Sequence, residues 1–210
     1  MGNEVDEFAE DRKVLQEFFT GILEAGSSHQ AVGYGSEESQ LTRFRVLTEI
    51  GDLSDSTILD VGCGLGRLYD YLRSAGHETA QYMGIDINWV SIHAARLASP
   101  DAKFEIQDLL KWSYLDKFDW VLASGIFNIE TPNRAEYVFK TLEAMFRACK
   151  RGVGVNFVSD WSPGAREQRT VYADPAEILD LVCRALSSKV VLRHDYRPND
   201  FTIYVYKDAS

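Results

Sequence analysis

Apolar positions along the chain fall into two alternating periods. Helical spacing runs through residues 6–24, where Phe8, Leu15, Phe18, Phe19, Ile22 and Leu23 mark an amphipathic helix. It returns at residues 39–50, where Leu41, Phe44, Val46, Leu47 and Ile50 share one side before Gly51 offers a stop. Residues 26–36, rich in glycine and serine, read as a loop. Short apolar runs then predict strands over 57–61, 82–86, 103–107, 119–124 and 153–158. Helices are expected over 67–74 and over 89–98, the latter closed by Pro100. Thr131-Pro132 opens a third, running to Lys150 and Arg151 at its negative end, with Gly152 as its stop. Asp174-Pro175-Ala176-Glu177 reads as a capping box for a helix to about Leu186. Two last strands, 189–194 and 201–207, joined by Arg-Pro-Asn-Asp, predict an antiparallel hairpin at a sheet edge.

Alternating strands and helices imply right-handed parallel crossovers and an α/β fold. At 210 residues the expectation is one domain over 1–210, with an N-terminal helical part (1–50) and a sheet core (57–207). The net charge of −10 disfavours nucleic acid or anionic membrane as a partner. Three scattered cysteines, Cys63, Cys149 and Cys183, show neither metal spacing nor a disulfide frame, so free thiols in the cytoplasm are expected. The acidic start lacks the apolar core of a signal peptide, and no apolar run has the ~18 residues of a membrane helix.

The chemistry concentrates at Ile58–Leu68, ILDVGCGLGRL. A buried strand runs into Asp60 and then into glycines at 62, 64 and 66. Glycine lets a backbone turn tightly and lets a ligand approach where a Cβ would collide. The Asp60 carboxylate suits a ligand bearing positive charge or hydrogen-bond donors and suits a diphosphate poorly. In a parallel sheet, ligands bind beyond the carboxyl ends of the strands near the point where strand order reverses. Asp86 ends the second strand, where it can accept two ribose hydroxyls. Asp108 follows the third, where it could meet an adenine amine. Ser124 and Gly125 end the fourth. Three acids after three successive strands beside a glycine loop are hard to attribute to chance.

This set resembles the class I methyltransferases that use S-adenosylmethionine, over about residues 36–207, on ILDVGCGLG, GIDIN and the terminal hairpin. The flanking GYGSEESQLTRF and VVLRHDYRPNDFTIYVYK resemble small bacterial methyltransferase-like proteins of unassigned substrate. The resemblance implies a Rossmann-like three-layer sandwich with a seven-stranded, mostly parallel sheet in order 3-2-1-4-5-7-6 and an antiparallel last strand. It implies that Asp60 and the backbone of Gly62, Cys63 and Gly64 hold the aminoacyl end of the cofactor. Asp86 would hold the ribose and Ile87 would pack on the adenine. Asp108 would face the adenine amine, with Leu109 lining the ring. Ser124 and Gly125 would lie near the methyl group. The activity implied is in-line transfer of the methyl to an acceptor, expected to be a small molecule, leaving S-adenosylhomocysteine; a protein acceptor stays open.

A nicotinamide-dependent oxidoreductase is the rival. Its GxGxxG would need glycine at Arg67, whereas this chain reads GxGxG. A binder that holds the cofactor without turnover is the third reading. After the fourth strand there is no Asp/Asn-Pro-Pro-Tyr, and only Glu130 follows, so the paired-glutamate loop of arginine methylation is missing. Acids placed for a metal-dependent catechol enzyme are also lacking, and no metal is expected.

Other residues divide between site and scaffold. Tyr34, Ser36, Gln40 and Arg43 precede the first strand, where the family often places a lid. Arg43 could bind the cofactor carboxylate and Tyr34 cover the sulfonium, or Arg43 could sit on a solvated helix face. Asn128 lies past the fourth strand and could orient an acceptor. His194 could act as a base or be a structural residue of the edge hairpin. Residues 159–173 lack periodicity and could shape an acceptor pocket. Trp89, Trp112 and Trp120 read as packing residues.

Overall fold

The computed structural model of the chain describes residues 6–24, 36–77, 81–112, 117–163, 166 and 170–208. Seven strands form one sheet in the order β3-β2-β1-β4-β5-β7-β6. The strands are β1 (Thr57–Val61), β2 (Gln81–Asp86), β3 (Lys103–Ile106), β4 (Phe118–Ala123), β5 (Cys149–Val158), β6 (Val190–Arg197) and β7 (Asp200–Tyr206). The helices are α1 (Ala9–Glu24), α2 (Glu37–Thr48), α3 (Arg67–Ser74), α4 (Trp89–Ala98), α5 (Arg134–Ala148) and α6 (Pro175–Ala185). Pairing is parallel from β3 through β5. The β7 strand runs antiparallel to both β5 and β6. The strand order and the antiparallel end are those expected.

Each face of the sheet buries its own apolar layer because successive strand residues point to opposite sides. In β1, Leu59 and Val61 pack with Val121, Val155, Ile203 and the α5 residues Leu142 and Met145. Ile58 packs on the other side with Tyr82, Leu122, Phe44, Leu72 and Ile92. Full burial of each such aliphatic side chain stabilises the fold by roughly 1.5–3 kcal/mol. Asp60 lies on the face of Ile58, at a position that apolar neighbours would otherwise fill.

Local chemistry sets the helix boundaries. Ser36 accepts from the Ser39 N–H and caps α2. Asn88 accepts from the Ser91 N–H and caps α4. Asp174 accepts from the Ala176 N–H and caps α6. These caps follow the preference for short polar side chains at helix starts.

The region after β4 departs from expectation. The fifth helix begins at Arg134, not at Thr131-Pro132, and has Asn133 as its cap. It ends at Ala148. Lys150 and Arg151 belong to β5, which starts at Cys149, pairs with Phe118 and shifts register before Trp120. Charged side chains at the sheet end mimic a helix C-terminus in sequence, and strand pairing wins. Trp120 is buried and donates from Nε1 to the Asp52 carbonyl at 3.0 Å. Trp89, expected to pack, is 64% exposed. No helix among the described residues is long and apolar enough to cross a membrane.

Candidate functional site: a cleft at the strand tips

The carboxyl ends of β1, β2 and β4, with the turn after β3, open onto one cleft. Ten residues singled out in the sequence meet there: Asp60, Gly62, Cys63, Gly64, Asp86, Ile87, Asp108, Leu109, Ser124 and Gly125. Parallel register brings them together. Asp60 pairs with Gly84 and Val61 with Ile85, so the tip of β1 lies against the tip of β2.

The loop from Gly62 to Gly66 is held to β2 through its backbone. Gly62 and Cys63 both donate to the Ile85 carbonyl, at 2.8 and 3.0 Å. Gly64 N–H donates to Asp86 Oδ2 at 2.9 Å. Gly62 has φ +68°, and a Cβ there would lie 2.4 Å from Ile126 Cγ2. Only glycine meets both demands.

Two carboxylates dominate the electrostatics. Asp60 is 2% exposed, and Tyr82 donates its hydroxyl to Asp60 Oδ2 at 2.6 Å. Burial pushes the Asp60 carboxyl up to about 7; the Tyr82 hydrogen bond opposes this and the neighbouring Asp86 adds to it. Asp86 accepts from Gly64 N–H and from Asn88 N–H, the latter at 2.8 Å. Burial raises its pKa too, against the pull of those backbone donors. Neither acid has a cation within ion-pair distance among the described residues, although buried carboxylates are normally paired. The Cys63 thiol is pushed up by burial and by both acids, so it stays protonated beside them.

The α1 helix crosses the tips. Leu15 and Phe19 face into the cleft. Gln16 donates to the Ile87 carbonyl at 2.8 Å, and Asn88 donates to Thr20 Oγ1 at 2.9 Å. Asp11, fully buried, accepts from Asn133 N–H at 2.8 Å and from Asn133 Nδ2 at 2.9 Å. Burial would raise the Asp11 pKa, but the bonds from Asn133 and Thr131 outweigh it and hold it low. Arg12 lies 3.2 Å from Asp108 Oδ2, while Asp108 Oδ1 accepts from Leu110 N–H and caps the short 3-10 helix Leu109–Lys111. Asp108 therefore stands at the cleft wall already engaged by Arg12.

Asn156, buried on β5, orders the tip of β4. It donates to Ser124 Oγ at 2.9 Å and accepts from Gly125 N–H at 2.9 Å. Nothing in the sequence marks this residue out, where it reads as a polar interruption of an apolar strand. Tyr137 and Thr141 of α5 also line the cleft, as do Gln40 and Phe44 of α2. Each pair is spaced to share a helix face; Gln40 stands in the segment where a lid is expected, whereas for Phe44, Tyr137 and Thr141 the sequence alone does not tell a cleft-facing stripe from a core-facing one.

Three proposed residues do not line the cleft. Arg43 is buried and pairs with Asp200 at 2.6 Å, so it serves the junction of α2 and β7 and does not line the cleft. The solvated-face alternative also fails, because Asp200 is itself fully buried. His194 sits on β6, three strand spacings from β4, or about 14 Å. Its Nε2 is 2.7 Å from Ser159 Oγ, and its ring stacks on Phe201. Those contacts hold His194 in the edge hairpin, and it does not line the cleft. Asn128 is buried two residues beyond the cleft residue Ile126, and its carbonyl accepts from Val171 N–H at 2.9 Å. Tyr34 lies outside the described residues.

Among the described residues no cluster of three His, Cys, Asp or Glu could hold a metal. The donor set fits an adenosyl cation instead. Two acids without a cation partner among the described residues, Asp60 buried and Asp86 half-buried, face a cleft floored by backbone, and Asp86 keeps lone pairs for further donors beyond its two N–H bonds.

A parallel sheet with an antiparallel seventh strand, and a cleft of this kind at the β1–β4 reversal, define a class I α/β methyltransferase fold. Residues 58–152 match the methyltransferase domain family. A Mycobacterium tuberculosis protein named as a methyltransferase, Rv1506c, is 34% identical over 160 residues, spanning 72% of this chain and 93% of its own length. The magnesium protoporphyrin IX methyltransferase of Synechocystis with bound S-adenosylmethionine superposes with a TM-score of 0.67 at 16% identity, covering 99% of this chain and 100% of that one. The [4+2]-cyclase SpnF gives 0.61 at 16% identity, over 85% of this chain and 72% of its own. The last two carry the fold alone. The chain belongs to the S-adenosylmethionine-dependent methyltransferase family, and S-adenosylmethionine is its cofactor.

Proposed function

We propose that this protein transfers the methyl group of S-adenosylmethionine to a small-molecule acceptor. The observation that carries the reading is the pair Asp60, buried, and Asp86, half-buried: two carboxylates without a cation partner among the described residues, flanking a glycine loop at adjacent strand tips. When bound, S-adenosylmethionine supplies a methyl group already activated on a sulfonium.

Asp60 is placed to hold the ammonium of the aminoacyl end. Tyr82 keeps one carboxylate oxygen engaged and leaves the other for the ligand. Asp86 accepts the ribose hydroxyls while Gly64 and Asn88 fix its orientation. Ile87 and Leu109 supply apolar walls for the adenine, and Asp108 stands beside them. Asn156 fixes Ser124 and Gly125 near the reacting end. The α1 helix serves as the lid: Leu15 and Phe19 keep water from the cleft.

In-line displacement asks the protein mainly to hold the acceptor opposite the leaving sulfur, and such positioning can supply several kcal/mol, up to about 7–11. The acceptor side is the loop from Ser124 to Asn133. A small acceptor agrees with a cleft covered by α1 and with the chain's net charge of −10, which opposes nucleic acid.

Incubation with methyl-labelled S-adenosylmethionine and a cell extract tests this. Label is expected in the fraction that passes a small-pore filter. Label only in protein would reassign the acceptor. No transfer, with the cofactor bound, would leave a cofactor-binding protein without turnover.

A further inference from the structure

Beyond the cofactor cleft, one arginine that is not exposed has no carboxylate partner among the described residues. Five arginines among the described residues are not exposed: Arg12, Arg43, Arg134, Arg193 and Arg197. Four pair with carboxylates, namely Asp6 and Asp108, Asp200, Asp195 and Glu49, and Asp200 respectively. Arg134 pairs with none, and its Nε is buried without a hydrogen-bond partner. Burial lowers its pKa, countered only by the field of Glu130. Asp11, the other acid at this end of α5, is already taken by Asn133.

Arg134 stands at the start of α5, one helical turn before the cleft-lining Tyr137. Positions 134, 137 and 141 share one face of α5, and Tyr137 and Thr141 line the cleft. Helical side chains lean toward the helix N-terminus, so Arg134 extends past the cofactor region toward the loop after β4. On that loop Asn128 is 4% exposed, and its Oδ1 has no partner either. A buried donor and a buried acceptor left open on one short stretch are each costly. A ligand that supplies the complementary groups removes both costs.

We infer that the methyl acceptor carries an oxyanion group, carboxylate or phosphate, that binds Arg134, with an N–H or O–H of the same molecule donating to Asn128 Oδ1. The inference rests on the methyltransferase reading above and narrows its substrate class. Guanidinium is suited to this role because its fork matches the paired oxygens of such anions.

Two measurements test it. First, the Arg134 Nε–H resonance is followed by NMR in the S-adenosylhomocysteine complex during titration with acetate and, separately, inorganic phosphate. A saturable shift with one of them, absent in Arg134→Gln, is expected, and the stronger anion identifies the group. No shift with either would overturn the inference whether or not the protein transfers methyl groups. Second, methyl-labelled products from a small-molecule extract are passed over an anion-exchange resin. Retained product is expected. Arg134→Gln should raise the acceptor KM at least tenfold, with Arg134→Lys intermediate and cofactor affinity within twofold. Label in the unretained fraction, or equal loss of cofactor affinity, would overturn the inference. Loss of transfer in the wild type, with the NMR shift intact, would instead count against the methyltransferase reading alone.

Discussion

Tyr82 donates its hydroxyl to Asp60 across the β1–β2 pair at 2.6 Å, deep beneath the cleft floor. Burial still prevails over this bond and holds the Asp60 carboxyl near 7 in the free protein. Binding an ammonium requires the ionised form. Cofactor affinity should therefore be full above pH 7 and fall toward tenfold per unit below it, as binding comes to expel a proton. Calorimetry in buffers of different ionisation enthalpy measures that proton directly. An affinity flat from pH 5.5 to 8 would remove Asp60 from the site.

The same shift has a stability consequence. A carboxyl raised from 3.8 to about 7 stabilises the fold most below pH 3.8, and that contribution is lost as pH rises to 7. Asp60→Asn escapes the loss. At pH 8 the free variant should melt at or above the wild type, yet S-adenosylmethionine should no longer raise its Tm. Thermal melts with and without cofactor check both halves.

Arg43 and Asp200 form a buried ion pair between α2 and the start of β7. Removing one partner of such a pair costs about 3–5 kcal/mol. Arg43→Met should shift the urea midpoint accordingly, while the folded variant keeps its cofactor affinity within twofold. A loss of affinity with unchanged stability would return Arg43 to the site.

Asp11 anchors α1 through two bonds from Asn133. Asp11→Ala removes both hydrogen bonds to a charged group, at about 1.5–3 kcal/mol. Hydrogen exchange should quicken across residues 9–24 more than in β1 or β4, and cofactor release should speed up. Uniform acceleration over the sheet would mean that α1 is an ordinary part of the core and not a lid.

Much of this architecture was legible in the chain, and for identifiable reasons. Strand ends carry the cleft-lining acids, so Asp60, Asp86 and Asp108 reveal themselves by position as well as by type. Boundaries failed where two signals compete: Lys150 and Arg151 suit a helix end and equally a solvent-facing sheet end, and only pairing with β4 decides. Arg43 was misleading because its partner is 157 residues away. Asn156 and Tyr137 were invisible because an isolated polar residue in an apolar strand, or an aromatic on a helix stripe, acquires meaning only through tertiary neighbours. Trp89 shows the converse: a large apolar residue in a helix need not face inward.

The most direct test of the central claim is a calorimetric titration of S-adenosylmethionine into the wild type and Asp86→Ala at pH 8. The wild type should bind, and the variant should bind more weakly by about 1–3 kcal/mol through unpaired ribose hydroxyls. No binding by the wild type, or equal affinity in the two proteins, would contradict the account.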